Sequence, residues 1–173
     1  IVDGLSKNFR YPGWRLNWVV GPSSVIQNIG RAATGFDGGP SLPAQRLAIK
    51  ALDPERSDEE TIAVRRLFAR KRNVMLEGLE AMGVRCEHAP GGTFYVWGDI
   101  SGLPKPLNDA DAFFKAGVAR KVVTVPGRFF DVNPGGTHPP MKGLKNWVRF
   151  SFGPSEDKIT TGLDRLAEII ENA

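Results

Sequence analysis

Asp3-Gly4-Leu5-Ser6-Lys7-Asn8-Phe9-Arg10-Tyr11-Pro12-Gly13-Trp14-Arg15 sets a lysine in a turn of Gly and Ser and an arginine eight residues later at the start of a strand. The two cations suit different work. Arg15 carries a planar fork of N–H donors that matches phosphate oxygens, whereas Lys7 carries a primary amine, a nucleophile for a carbonyl carbon. Read by itself, a Lys–Arg pair at this spacing is more often solvated surface than a site. Its meaning depends on the residues that follow.

Outward from that stretch, residues 15–20 read as a short strand closed by Gly21-Pro22. Ser23 and Ser24 can cap a helix over 25–33, a Gly/Pro loop follows over 35–40, and helical character resumes over 43–52. Asp53-Pro54 ends that helix, because the residue before a proline is pushed out of the α region. Residues 57–82 read as one long helix: Ser57 and Glu60 have capping-box spacing, Val64, Phe68, Met75, Leu79 and Met82 recur at helical spacing, and Gly83 stops the run. A small α/β unit follows, with strands expected over 84–87, 93–97, 122–125 and 147–152 and helices over 109–119 and 155–171. A Gly/Pro-rich loop fills 126–143. In the last helix Ile159, Leu163, Leu166 and Ile170 share one face.

The chain has 173 residues, 41% apolar and 24% charged, which allows a packed core and excludes two large domains. Its net charge of +4 names no partner without clustering. The run Arg65, Arg66, Arg70, Lys71 and Arg72 reads as the solvated face of the long helix rather than a nucleic-acid surface. A single cysteine, Cys86, fits a reducing, cytoplasmic setting. No apolar run reaches the roughly 18 residues of a membrane span. Nucleotide-binding glycine loops and the H-E-x-x-H zinc signature are absent, and one cysteine with two histidines, His88 and His138, cannot fill a four-ligand Cys/His zinc site, so no metal is expected. A chain that opens on Ile1-Val2-Asp3, already in the rhythm of a strand, reads as cut from something longer.

The segment S-K-N-F-x-x-x-G-W-R-L-x-W-V-V-G-P (6–22) resembles the lysine segment of class I/II aminotransferases, fold-type-I enzymes that use pyridoxal 5'-phosphate (PLP). Three more stretches resemble the same family in the same order: Gly91-Gly92-Thr93-Phe94-Tyr95-Val96-Trp97, Val125-Pro126-Gly127-Arg128-Phe129-Phe130, and Trp147-Val148-Arg149-Phe150-Ser151-Phe152-Gly153. Motifs in family order along nearly the whole chain are far more specific than any one alone.

The resemblance implies an α/β fold made of the C-terminal end of a PLP-transferase large domain (1–53) and the small C-terminal α/β domain (54–173). It implies that Lys7 forms a Schiff base with PLP, that Arg15 and Ser6 help hold the cofactor phosphate, and that Arg149 pairs with the substrate α-carboxylate. Tyr95 is a candidate for the substrate pocket, with Phe94 and Trp97 beside it. Amino acid and 2-oxo acid substrates, a homodimer, and the loop 34–43 reaching a partner subunit belong to the same expectation. Some positions depart from the family: Gly4 stands where many members carry a phosphate-binding serine, and Arg10 where a small residue is usual. Arg128 is a second candidate for an acidic substrate group. The family's acidic partner of the pyridine nitrogen lies upstream of its lysine, so the 173-residue chain alone is expected neither to bind PLP tightly nor to transaminate. The alternatives are a PLP-dependent lyase on the same scaffold and the aminotransferase-like effector domain of a transcription regulator.

Overall fold

The computed structural model describes residues 1–36, 38–86, 90–139 and 141–173. The chain forms two compact units, Ile1–Arg66 and Leu67–Ala173.

In the first unit, β1 (Val2–Gly4) and β2 (Asn17–Val19) pair antiparallel, with Val2 opposite Val19 and Gly4 opposite Asn17. The Leu5 N–H donates to the Leu16 carbonyl at 3.0 Å, which carries the pairing to the mouth of the connecting loop. Leu5, Phe9, Leu16 and Ala48 form a small buried cluster, with Trp14, Trp18 and Ala44 packed against it. Helix α1 spans Ser23–Phe36, longer at both ends than the 25–33 expected. Its first turn hangs on the Pro22 carbonyl, which accepts from Val25 (3.0 Å) and Ile26 (3.1 Å). Helix α2 covers Leu42–Ala51, close to the expected 43–52.

Helix α3 runs Pro54–Ala81, and the division between the units falls inside it. It begins a turn before Ser57 because Asp53 provides the cap. The Asp53 carbonyl accepts from Ser57 at 2.8 Å, and Oδ1 accepts from the Arg56 N–H at 3.3 Å. Pro54 takes the first helical position, where its missing N–H costs nothing. The Ser57–Glu60 spacing therefore lies within the helix. Gly83 and Val84 close the helix by donating to the Glu80 and Leu79 carbonyls at 3.0 and 2.9 Å.

The second unit holds a three-stranded antiparallel sheet in the order β3-β5-β4. β3 is Tyr95–Asp99, β4 is Val125–Pro126 and β5 is Trp147–Ser151. Trp97 stands opposite Arg149, which also stands opposite Val125. Because successive side chains alternate across a strand, Val96, Val148 and Phe150 face the buried core while Tyr95, Trp97, Trp147 and Arg149 face the other way. Helices α4 (Ala110–Ala119) and α5 (Glu156–Glu171) contribute Ala110, Phe113, Ile159, Leu163 and Leu166 to that core, and Ile170 packs against it. The Asp109 carboxylate caps α4 by accepting from Asp111 and Ala112, each at 3.1 Å.

Three strand expectations shift. Of residues 84–87, Val84 is buried and Arg85 makes only an isolated bridge with Asp99, while Glu87, like His88, lies outside the described residues. β3 starts at Tyr95 rather than at residue 93, since Thr93 takes a φ of 60°, which no strand tolerates. β4 shrinks to two residues because the Val122 N–H is used by the Gly117 carbonyl (2.8 Å) at the end of α4. The basic run is not uniformly solvated either. Lys71 is buried, and its Nζ donates to the Gly153 carbonyl at 3.2 Å and lies 5.0 Å from the Phe68 ring centre.

Candidate functional site

In the first unit the β1–β2 pairing decides the geometry. Leu5 and Leu16 are tied across the ladder, so Lys7, two residues beyond one, and Arg15, one before the other, sit at the same end of one hairpin. The connecting loop is held by the Tyr11 N–H donating to the Leu5 carbonyl (2.9 Å), by a 3-10 turn at Pro12–Trp14, and by Tyr11 stacked on Trp14 with ring centres 4.6 Å apart. Asp3 steadies its base by accepting from the Gly4 N–H (2.7 Å) and the Asn8 side chain (2.9 Å). Lys7 is exposed and Ser6 half-buried. Arg15 is exposed at a φ of 50°, and its Nη1 donates to the Pro12 carbonyl at 2.9 Å, so one arm of the fork is anchored.

The departure at Gly4 has a steric cause. A Cβ there would collide with the Asn17 side-chain oxygen and stand 2.8 Å from the Leu16 carbonyl, so a serine does not fit the hairpin as it is folded. Arg10, at a φ of 58°, pairs with Glu60 at 2.6 Å.

In the second unit Arg149 and Tyr95 come together on the sheet face turned from the core. The Arg149 guanidinium carbon lies 4.0 Å from the Tyr95 ring centre and 4.9 Å from that of Phe130. Phe130 meets Trp97 edge to face at 5.1 Å, and Trp97 stacks on Trp147 at 5.8 Å. Arg149, Tyr95, Trp97, Phe130, Thr93 and Pro90 line an open groove of about 450 Å³. Among the described residues no carboxylate lies within ion-pair distance of Arg149. A cation walled by rings, with no ion-pair partner among the described residues, suits an incoming carboxylate. Arg128, by contrast, is committed to Asp111 (2.8 and 3.0 Å) and stacks on Phe129.

Sequence reasoning had given no role to Phe130. It sits in a 3-10 turn, Gly127–Phe130, where strand alternation does not apply, and its only signal was the fixed spacing from Pro126 in the P-G-x-x-F motif. Among the described residues no cluster of three or more His, Cys, Asp or Glu could hold a metal, and no helix is long and apolar enough to cross a membrane. A second hollow of about 440 Å³, lined by Thr124, Ser151, Lys158, Leu163 and Arg165 among others, contains none of the candidate residues.

An amine, a guanidinium and a hydroxyl lie on one hairpin of this α/β protein, and a second guanidinium lies on an aromatic sheet face. The chain belongs to the aminotransferase class I and II family, which it matches over residues 1–166. That family depends on pyridoxal phosphate. The chain is 29% identical over 174 residues to the aspartate/prephenate aminotransferase of Thermus thermophilus, with 99% of this chain and 41% of that protein covered. It is 32% identical to the LL-diaminopimelate aminotransferase of Halothermothrix orenii, with 95% of this chain and 38% of that protein covered. The solved structure of T. thermophilus aspartate aminotransferase with maleate superposes with a TM-score of 0.82 at 28% identity, over 97% of this chain and 40% of that one. The chain thus spans about 40% of the length of the relatives it matches.

Proposed function

We propose that this chain supplies the lysine, the phosphate grip and the carboxylate-binding arginine of a PLP-dependent aminotransferase that moves an amino group between an amino acid and a 2-oxo acid. The observation that carries the reading is the β1–β2 hairpin, whose pairing sets Lys7 and Arg15 at one end. The donor set fits the cofactor: a primary amine for an aldehyde, and a guanidinium with the Ser6 hydroxyl for a phosphate. PLP, when bound, supplies the electron sink for the pair left at the substrate α-carbon.

Each residue then has its own task. Lys7 Nζ would hold the cofactor through its aldehyde, and its amine would serve as the base for the proton on the substrate α-carbon. Arg15 and Ser6 hold the phosphate. Arg149 fixes the α-carboxylate with its fork, which orients the α-carbon as well as binding it, and Tyr95 walls that fork. Residues 1–53 form the end of the large domain and 54–173 the small domain of a cytoplasmic homodimer, with the loop 34–43 reaching the partner.

The test is half-reaction spectroscopy on the full-length protein loaded with PLP. An α-amino acid panel is expected to convert the cofactor to its pyridoxamine form with release of the matching 2-oxo acid. Pyruvate and ammonia formed without an acceptor would assign elimination chemistry instead.

A further inference from the structure

The Arg149 guanidinium is held by aromatic rings. Its carbon lies over two rings, Tyr95 at 4.0 Å and Phe130 at 4.9 Å, and no carboxylate among the described residues pairs with it. Rings attract a guanidinium through its flat face and leave the N–H donors at its edge available, whereas a carboxylate neighbour would occupy that edge. The Phe130 ring is itself held by Trp97, which meets it edge to face at 5.1 Å. The turn that carries Phe130 lies against the backbone of Leu144 and Trp147, the latter the first residue of β5, at a point where Gly127 has no side chain to keep them apart.

We infer that Phe130 and Tyr95 are positioning residues that hold the plane of Arg149 so that its fork meets a substrate carboxylate edge-on. The inference rests on the reading of Arg149 as the α-carboxylate site and adds residues that act through it. Phe130 and Tyr95 touch the arginine. Their effect therefore falls on substrates and ligands that carry the carboxylate and spares those that lack it.

The experiment uses the full-length protein loaded with PLP. For each variant, kcat and KM are measured with an α-amino acid and with the amine that lacks its carboxylate, and the Kd of the unreactive carboxylate 3-phenylpropionate is measured by calorimetry. Phe130→Leu and Tyr95→Leu are expected to raise both the amino-acid KM and the 3-phenylpropionate Kd, on the order of 2- to 30-fold. In Phe130→Leu the amino-acid kcat and the reaction of the amine stay within about twofold of wild type, and Phe130→Tyr and Tyr95→Phe, which keep the rings, restore wild-type binding. If Arg149→Ala weakens carboxylate binding while both leucine variants bind as wild type does, the positioning role is overturned and the reading of Arg149 stands. If the leucine variants slow amine and amino acid alike, their role is structural and the inference is overturned. If Arg149→Ala leaves carboxylate binding unchanged, the reading of Arg149 falls and the inference falls with it.

Discussion

Gly127→Ala puts the close approach of the Phe130 turn to β5 under direct strain. A Cβ at this position would collide with the Leu144 carbonyl oxygen, stand 2.9 Å from the Trp147 carbonyl oxygen and 3.2 Å from the Trp147 Cβ. Two of these obstacles are main chain, so no rotamer change relieves them, and the turn must move away from the strand. Overpacking of this kind costs about 1–3 kcal/mol, and a backbone obstacle places the change in the upper part of that range. With a urea m-value of about 1–3 kcal/mol/M for a domain of this size, the midpoint of the transition that unfolds the second unit falls by about 0.7 M or more. The assay is urea unfolding of the full-length protein followed by tryptophan fluorescence, with Gly143→Ala as control because nothing lies within 4 Å of a Cβ there. The control is expected to stay within about 0.5 kcal/mol of wild type. A Gly127→Ala protein that unfolds at the wild-type midpoint with an unchanged m-value would refute the steric reasoning.

Two further predictions come from caps and charges of the second unit. Asp109→Ala removes the acceptor for the Asp111 and Ala112 N–H groups and is expected to cost about 1 kcal/mol in urea unfolding, with Asp109→Asn keeping most of it. For Asp99, burial alone would raise the carboxyl pKa, but the Ser101 backbone N–H (2.8 Å), the Ser101 hydroxyl and Arg85 (2.5 Å) outweigh it and hold it below the usual carboxylate range. The unfolded chain then takes up the proton first as pH falls. The Asp99 contribution is complete above about pH 5, begins to fall as pH approaches the unfolded value of about 4, and is lost as pH drops through the lowered folded value. Asp99→Asn is expected to flatten the acid limb of a stability-against-pH curve, and an unchanged limb would contradict the role given to those partners.

The helices were legible where pattern and punctuation agreed. The helix expected over 109–119 forms as α4, with Asp109 as its cap, and the spacing of Ile159, Leu163 and Leu166 marks the buried face of α5. The start of α3 was misread because Ser57 and Glu60 mimic a capping box, while the true cap lies one residue before a proline that the helix accommodates at its first position. Residues 122–125 carry a strand's composition, but the Val122 N–H is spent closing α4, a tertiary choice that local sequence does not record. In the same way Lys71 sits in a basic run and is nevertheless buried, because a carbonyl from Gly153 and the Phe68 ring receive its head group. Lys7, Arg15 and Arg149 could be singled out from motifs, since each stands at a fixed offset from Gly or Trp. That Phe130 and Tyr95 share one guanidinium became visible only when β3, β5 and the Gly127–Phe130 turn were placed side by side.

Lys7 is the residue proposed to hold the cofactor. Borohydride reduction of the full-length PLP-loaded protein, followed by proteolysis and peptide mass mapping, tests it without relying on turnover. The account predicts a single pyridoxyl label on the peptide containing Lys7. A label on any other lysine, or no stable label, would contradict it.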